Sequence, residues 1–130
     1  MLTIGIKGAE EFLVTEDVTA KNVGSGTVAV LATPMMVALM EKTCLLSVRP
    51  CLEEGQDTVG TRVDVTHTAA TPVGMTVRCE SELIEIDRRR LVFRVVARDD
   101  AGIVGEGTHE RFIIDVEKFQ AKACMRGKGL

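Results

Sequence analysis

The sequence predicts an α+β fold in which an antiparallel β-sheet wraps around one buried helix. Two observations carry that expectation. Residues 35–47 contain no Gly or Pro, and Met35, Met36, Val37, Ala38, Leu39, Met40, Cys44, Leu45 and Leu46 place apolar side chains nearly all round. A helix of that kind is surrounded by protein rather than laid on a surface. From Val59 onward the pattern changes to apolar–polar alternation broken by short turn-forming connections, which is how antiparallel strands read.

Composition narrows the class. At 130 residues the chain suits one domain, residues 1–130, long enough to bury a core of its own. With 45% hydrophobic and 27% charged residues it is globular and not disordered. A formal net charge of −3 supplies no electrostatic reason to bind nucleic acid or an anionic membrane. Apolar stretches fall far short of the ~18 residues of a membrane helix, and the first eleven residues hold no signal-peptide core. A cytoplasmic protein is expected. Cys44, Cys51, Cys79 and Cys124 are scattered and accompanied by only two His, so they read as reduced thiols and no metal site is expected. Trp and Tyr are absent, which removes the usual platforms for stacking bases or sugars.

The elements follow in order. Residues 11–15, Glu-Phe-Leu-Val-Thr, are β-prone and predict an opening strand. Residues 20–27 carry Asn, Gly and Ser and predict a loop. Thr33-Pro34 predicts a helix start, with Thr33 as the cap and Pro at the first helical position; Pro50 ends that helix. Val59, Thr61, Val63, Val65 and His67 share one parity while Arg62, Asp64 and Thr66 share the other, so His67 is expected on the apolar face of a half-buried strand. Pro72-Val-Gly74 is a turn, residues 76–86 and 91–98 are strands joined by Asp87-Arg-Arg-Arg90, and a turn at 99–102 leads to a long strand at 103–114. Residues 115–124 have the composition of a short terminal helix.

One strand, a buried helix and four strands on short loops make the hotdog architecture. One sheet shields only one side of an apolar helix, so its ends and edges need company. A homodimer, or a higher homo-oligomer built from it, is the expected supply.

Three segments are more specific. They are Ala-Thr-Pro-Met-Met-Val-Ala-Leu-Met-Glu at 32–41, Val-Gly-Thr-Arg-Val-Asp-Val-Thr-His-Thr-Ala-Ala-Thr-Pro-Val-Gly at 59–74, and Gly-Thr-His-Glu-Arg at 107–111. With Glu-Lys-Phe-Gln-Ala-Lys at 117–122, the stretch from Val30 to Lys122 resembles the fluoroacetyl-CoA thioesterase-like family of hotdog proteins. The resemblance implies a metal-independent hydrolase of small acyl-CoA thioesters, with no cofactor beyond the coenzyme A carried by the substrate. It implies Thr33, Glu41 and His67 as the catalytic set, and Gly60 and Arg111 as substrate-binding residues. The family's fluoroacetate-resistance member has a longer, aromatic lid before the helix, whereas residues 18–31 here contain no Phe.

Residue chemistry sets conditions on those roles. An ionised Glu41 inside an apolar helix is costly unless paired, and an inward His67 is the expected partner. Thr33 reads equally as an ordinary cap, and the helix N-terminus behind it presents free N–H groups to a developing oxyanion. Eight positions separate Thr33 from Glu41, ~12 Å along a regular helix. A site joining all three residues therefore needs an irregular helix start, a spanning substrate or residues from two subunits; the last is favoured. Gly60 reads as a bulge or a close approach to the thioester. Arg111 has an alternative reading as a surface partner of Glu110, Glu106 or Asp64. His109 and Cys44 read as structural, Met35, Met36 and Met40 as filler, and Arg88 to Arg90 as a solvated hairpin tip. Two other classes stay open at this level: a non-catalytic hotdog protein that binds or senses an acyl-CoA, and a structural assembly subunit.

Overall fold

A computed structural model describes residues 1–129 of the chain. Strands β1 (Lys7–Leu13), β2 (Gln56–His67), β3 (Thr76–Asp87), β4 (Arg90–Asp99) and β5 (Gly102–Asp115) form one antiparallel sheet in the order β1-β3-β4-β5-β2. Helix α1 (Ala20–Val23) is a single turn, α2 (Thr33–Val48) is the central helix, and α3 (Val116–Lys128) closes the chain. The expected hotdog arrangement is present. Among the described residues no helix is long and apolar enough to cross a membrane.

The alternation of β3 shows why the sheet has one dry face. Val77, Cys79, Ser81 and Leu83 are buried, while Arg78 and Glu80 between them are exposed. These side chains meet Met36, Leu39, Met40, Cys44 and Val48 of α2, with Leu91, Phe93, Val95 and Val104 completing the core. Burying one such side chain contributes about 1.5–3 kcal/mol, so the α2–sheet contact is a large contribution to the stability of the fold. The helix seats on β1 at Gly8, where a Cβ would fall 2.7 Å from Ser47 Cβ and 2.9 Å from the Thr43 carbonyl oxygen. Cys44 sits in this layer, and burial pushes its thiol up to about 12, which leaves it protonated and unreactive.

Several expectations are corrected. The opening strand starts at Lys7 rather than Glu11, because Lys7, Gly8, Ala9 and Glu10 carry none of the apolar alternation that marks a strand. Residues 20–27 are not all loop: Thr19 Oγ1 accepts from the Asn22 amide, and Gly24 at φ 91° closes the one-turn α1. Thr33 does not cap α2. Ala32 is the N-cap, Thr33 is already helical, and no side chain caps that end. Pro50 lies inside a 3-10 turn, Arg49–Cys51, that extends the helix before the chain reverses. The last helix runs past Cys124 to Lys128.

The largest difference lies in β2. Its pairing with β5 shifts between Gly60 and Arg62, so Thr61 is the extra residue of a bulge and the inward parity changes there. Before the bulge, Thr58 and Gly60 stand opposite Ile113 and Arg111; after it, Val63, Val65 and His67 stand opposite His109, Gly107 and Gly105. Val59 and Thr61 therefore do not share the face of His67. Val59 pairs with the exposed Phe112 instead.

Candidate active site

Two groups of side chains carry chemistry, and they sit at different heights along β2. The first lies where β2 ends and α2 begins. Thr33 Oγ1 is 2.7 Å from His67 Nδ1. Bridges between Thr19 and Leu31 and between Val30 and Pro72 tie the approach to α2 onto the loop after β2, which fixes the two residues against each other. They line a pocket of about 290 Å³ shared with Ala20, Val30, Leu31 and Ala69. His67 Nε2 is buried there without a hydrogen-bond partner among the described residues. When Nδ1 accepts the Thr33 proton, the hydroxyl oxygen gains nucleophilic character and Nε2 is the ring's donor. The freedom of Thr33 from capping is what makes its hydroxyl available for this bond.

The second group lies midway along α2. Glu41 Oε2 is 3.7 Å from Arg111 Nη1, and the Arg111 side chain is only 6% exposed against 43% for Glu41. Arg111 donates from Nε to Thr58 Oγ1 at 2.7 Å and from Nη2 to the Thr58 carbonyl at 2.8 Å. Its Nη1 is 3.1 Å from His109 Nε2, and His109 Nδ1 is 2.8 Å from the Arg62 carbonyl. Burial, and then the neighbouring Arg111 charge, hold the His109 imidazole below its ordinary pKa, outweighing Glu41 and the carbonyl bond that favour its proton. Gly60 is the floor of the group. A Cβ there would lie 2.6 Å from Glu41 Oε2, 3.2 Å from His109 Cε1 and 3.4 Å from Arg111 Nη1.

The five residues singled out in the sequence thus divide. Thr33 and His67 meet, and Glu41, Gly60 and Arg111 meet, but the expected Glu41–His67 pair does not form within the chain. Glu41 faces Arg111 and His67 faces Thr33. The surface reading of Arg111 is also corrected. Glu110 turns outward to Arg90 at 2.9 Å and Asp64 lies 3.8 Å from Arg62, because residues one position apart on a strand face opposite ways. His109, read as structural, belongs to the second group; its shared parity with Arg111 in Gly-Thr-His-Glu-Arg was the signal available.

Replacing Gly60 tests the close approach directly. Gly60→Ala is expected to displace the Glu41 carboxylate by about 1 Å, to reach the ~3.5 Å of ordinary contact. Because the displaced atom ends a flexible side chain, stability should change by less than about 1 kcal/mol. A crystal structure and a thermal melt of the variant check both statements; an unmoved carboxylate would contradict them.

Comparison with known proteins gives the following. A family model for the fluoroacetyl-CoA-specific thioesterase matches residues 14–117. The fluoroacetyl-CoA thioesterase of Streptantibioticus cattleyicolor is 50% identical over 93 residues, 72% of this chain and 67% of that protein. A solved fluoroacetyl-CoA thioesterase variant in complex with acetyl-CoA superposes with a TM-score of 0.92 at 38% identity, covering 96% of this chain and 98% of that one. A thioesterase superfamily member from Thermus thermophilus superposes with a TM-score of 0.89 at 29% identity, covering 100% and 98%.

Proposed function

The chain belongs to the fluoroacetyl-CoA-specific thioesterase family, and from that premise we propose that it hydrolyses a small acyl-CoA thioester to the free acid and CoA, as a cytoplasmic homodimer whose two copies complete each site. One observation carries the composite site: the Thr33–His67 pair and the Glu41–Arg111 pair are separated along an exposed edge strand. Gly60 stands opposite Arg111 and His67 opposite Gly105, six residues apart on β5 and roughly 20 Å along an extended strand. A single chain does not span that gap with side chains. β2 is the last strand of the sheet, and Val63 on its inner face is 43% exposed; such an edge invites pairing with another strand. An antiparallel pairing with a second copy, its two-fold axis at Asp64, sets Val63 across from Val65, and the extra residue at Thr61 then brings Gly60 of one copy across from His67 of the other. Glu41 and Arg111 of one copy then face Thr33 and His67 of its partner. Four free cysteine thiols fit a reducing compartment.

In that arrangement the groups divide the work. The Gly60 amide and the Arg111 guanidinium polarise the thioester carbonyl and stabilise the charge that develops on its oxygen. Thr33 positions or receives the acyl group, and Glu41 with His67 activates the attacking oxygen. Attack forms a C–O bond and breaks the C–S bond. The proton taken from the attacking water returns through His67 to the CoA sulfur, so the products are a carboxylic acid and the free thiol. A route through an acyl-glutamate anhydride uses the same residues, with water then cleaving the anhydride.

The pocket beside Thr33, about 290 Å³, suits a small acyl group. Its lip is α1 and the residues up to Leu31, a stretch without Phe, so discrimination for fluoroacetyl over acetyl is expected to be weak. The test is a panel of acyl-CoAs, fluoroacetyl-CoA included, with release of CoA thiol read by a thiol reagent. Turnover of a short acyl-CoA supports the reading. Thermal stabilisation by acyl-CoA with no thiol released would make the protein a binder or sensor instead.

A further inference from the structure

His109 has no part in the chemistry above, yet its ring is tied at both nitrogens. A carbonyl oxygen only accepts, so the 2.8 Å contact with Arg62 puts the proton on Nδ1. A guanidinium only donates, so the 3.1 Å contact with Arg111 Nη1 needs a lone pair on Nε2. Both bonds form together only in the neutral Nδ1–H tautomer. With Thr58 taking the Nε and Nη2 donors, His109 supplies the third point that fixes the guanidinium in its plane.

Resting on the reading of Arg111 as a substrate-side group, we propose that His109 is its positioning residue: the neutral ring, oriented by the Arg62 carbonyl, aims the guanidinium at Glu41 and Gly60, and uptake of a proton by the ring releases it. The charged groups around the ring are Arg111 on its own strand and Glu41 on α2, with Glu110 next along β5, while β2 contributes the Arg62 carbonyl. A protonated ring would set an N–H and a positive charge against Nη1, replacing a hydrogen bond by repulsion. With its pKa below the ordinary histidine midpoint of 6.5, the ring is mainly neutral at that pH, and the hold weakens as pH falls further.

The chain has two histidines, which makes the tautomer directly observable. In tag-free His67→Ala protein labelled with ¹⁵N-histidine, His109 is the sole imidazole, and long-range ¹H–¹⁵N correlation at pH 6.5 should show it neutral with the proton on Nδ1. An imidazolium or an Nε2–H tautomer at that pH overturns the proposal. Kinetics test the consequence. His109→Leu should lower kcat/KM about 10–100-fold, the loss of one hydrogen bond to a charged group. His109→Gln, whose Oε1 can accept from Arg111 where Nε2 did, should stay within about 3-fold of wild type. In an Arg111→Leu background, His109→Leu should add less than about 2-fold, since the two changes act through one contact. Equal losses in the Gln and Leu variants, or full additivity with Arg111→Leu, would reduce His109 to a packing residue and end the proposal. If wild-type protein releases no CoA from any acyl-CoA, the thioesterase reading is what fails, and the NMR result still decides the tautomer and the hold.

Discussion

His67→Ala and Glu41→Gln are each expected to lower kcat/KM by about 10²–10⁴-fold, the usual contribution of a positioned acid–base group, while leaving the protein folded. Neither side chain belongs to the hydrophobic core. Glu41 is 43% exposed, and Gln keeps an oxygen directed at Arg111, so the buried guanidinium retains an acceptor while the negative charge disappears. His67 gives up one hydrogen bond, to Thr33. Thr33→Ala should cost less than either, because the Gly60 amide and Arg111 still hold the carbonyl when the hydroxyl is gone. Steady-state kinetics on each variant, with circular dichroism as the check on folding, measures the ordering. A folded His67→Ala protein that kept near wild-type kcat on the best substrate would remove His67 from the mechanism.

What could be read from the sequence depended on how strongly local pattern and three-dimensional position agree. Residues 35–47 announced a helix with apolar side chains on every side, and α2 forms there, but within the chain it buries one stripe, Met36, Leu39, Met40, Cys44 and Val48, and leaves Met35, Val37, Leu45 and Leu46 half-buried. Strands β3, β4 and β5 announced themselves by alternation, since each has one face on the core. β1 did not, because an edge strand bearing Lys7, Glu10 and Glu11 has little apolar face to display. The bulge at Thr61 was invisible for a different reason: alternation read across it assigns Val59 and His67 to one face, and only the pairing with β5 shows the change of parity. Gly60 was open to reading as a bulge or as a close approach to the thioester; it borders the bulge and lies close against the Glu41 carboxylate.

The site residues came from a resemblance and not from spacing, and their contacts were less legible than their identities. Thr33 in front of Pro34 has the composition of a cap, but the helix begins one residue earlier and its hydroxyl goes to His67. The ~12 Å between Thr33 and Glu41 on a regular helix already argued against one compact triad in one chain. What the sequence did not show is that Glu41 has its own partner in Arg111, or that His109 and Thr58 bind that guanidinium from two further sides. Those contacts depend on which strand lies next to β2, which is a matter of topology.

The composite site is tested most directly by mixing the two inactive variants. His67→Ala and Glu41→Gln chains, co-expressed with different tags and purified as the heterodimer, leave one site lacking both residues and the other with both intact. Each heterodimer should recover about half of wild-type activity, one of two equivalent sites, a gain of about 50-fold or more over either variant alone given the losses expected of an acid–base group. A heterodimer no more active than its parents would show that Glu41 and His67 act within one chain or not together, and would contradict the two-subunit site.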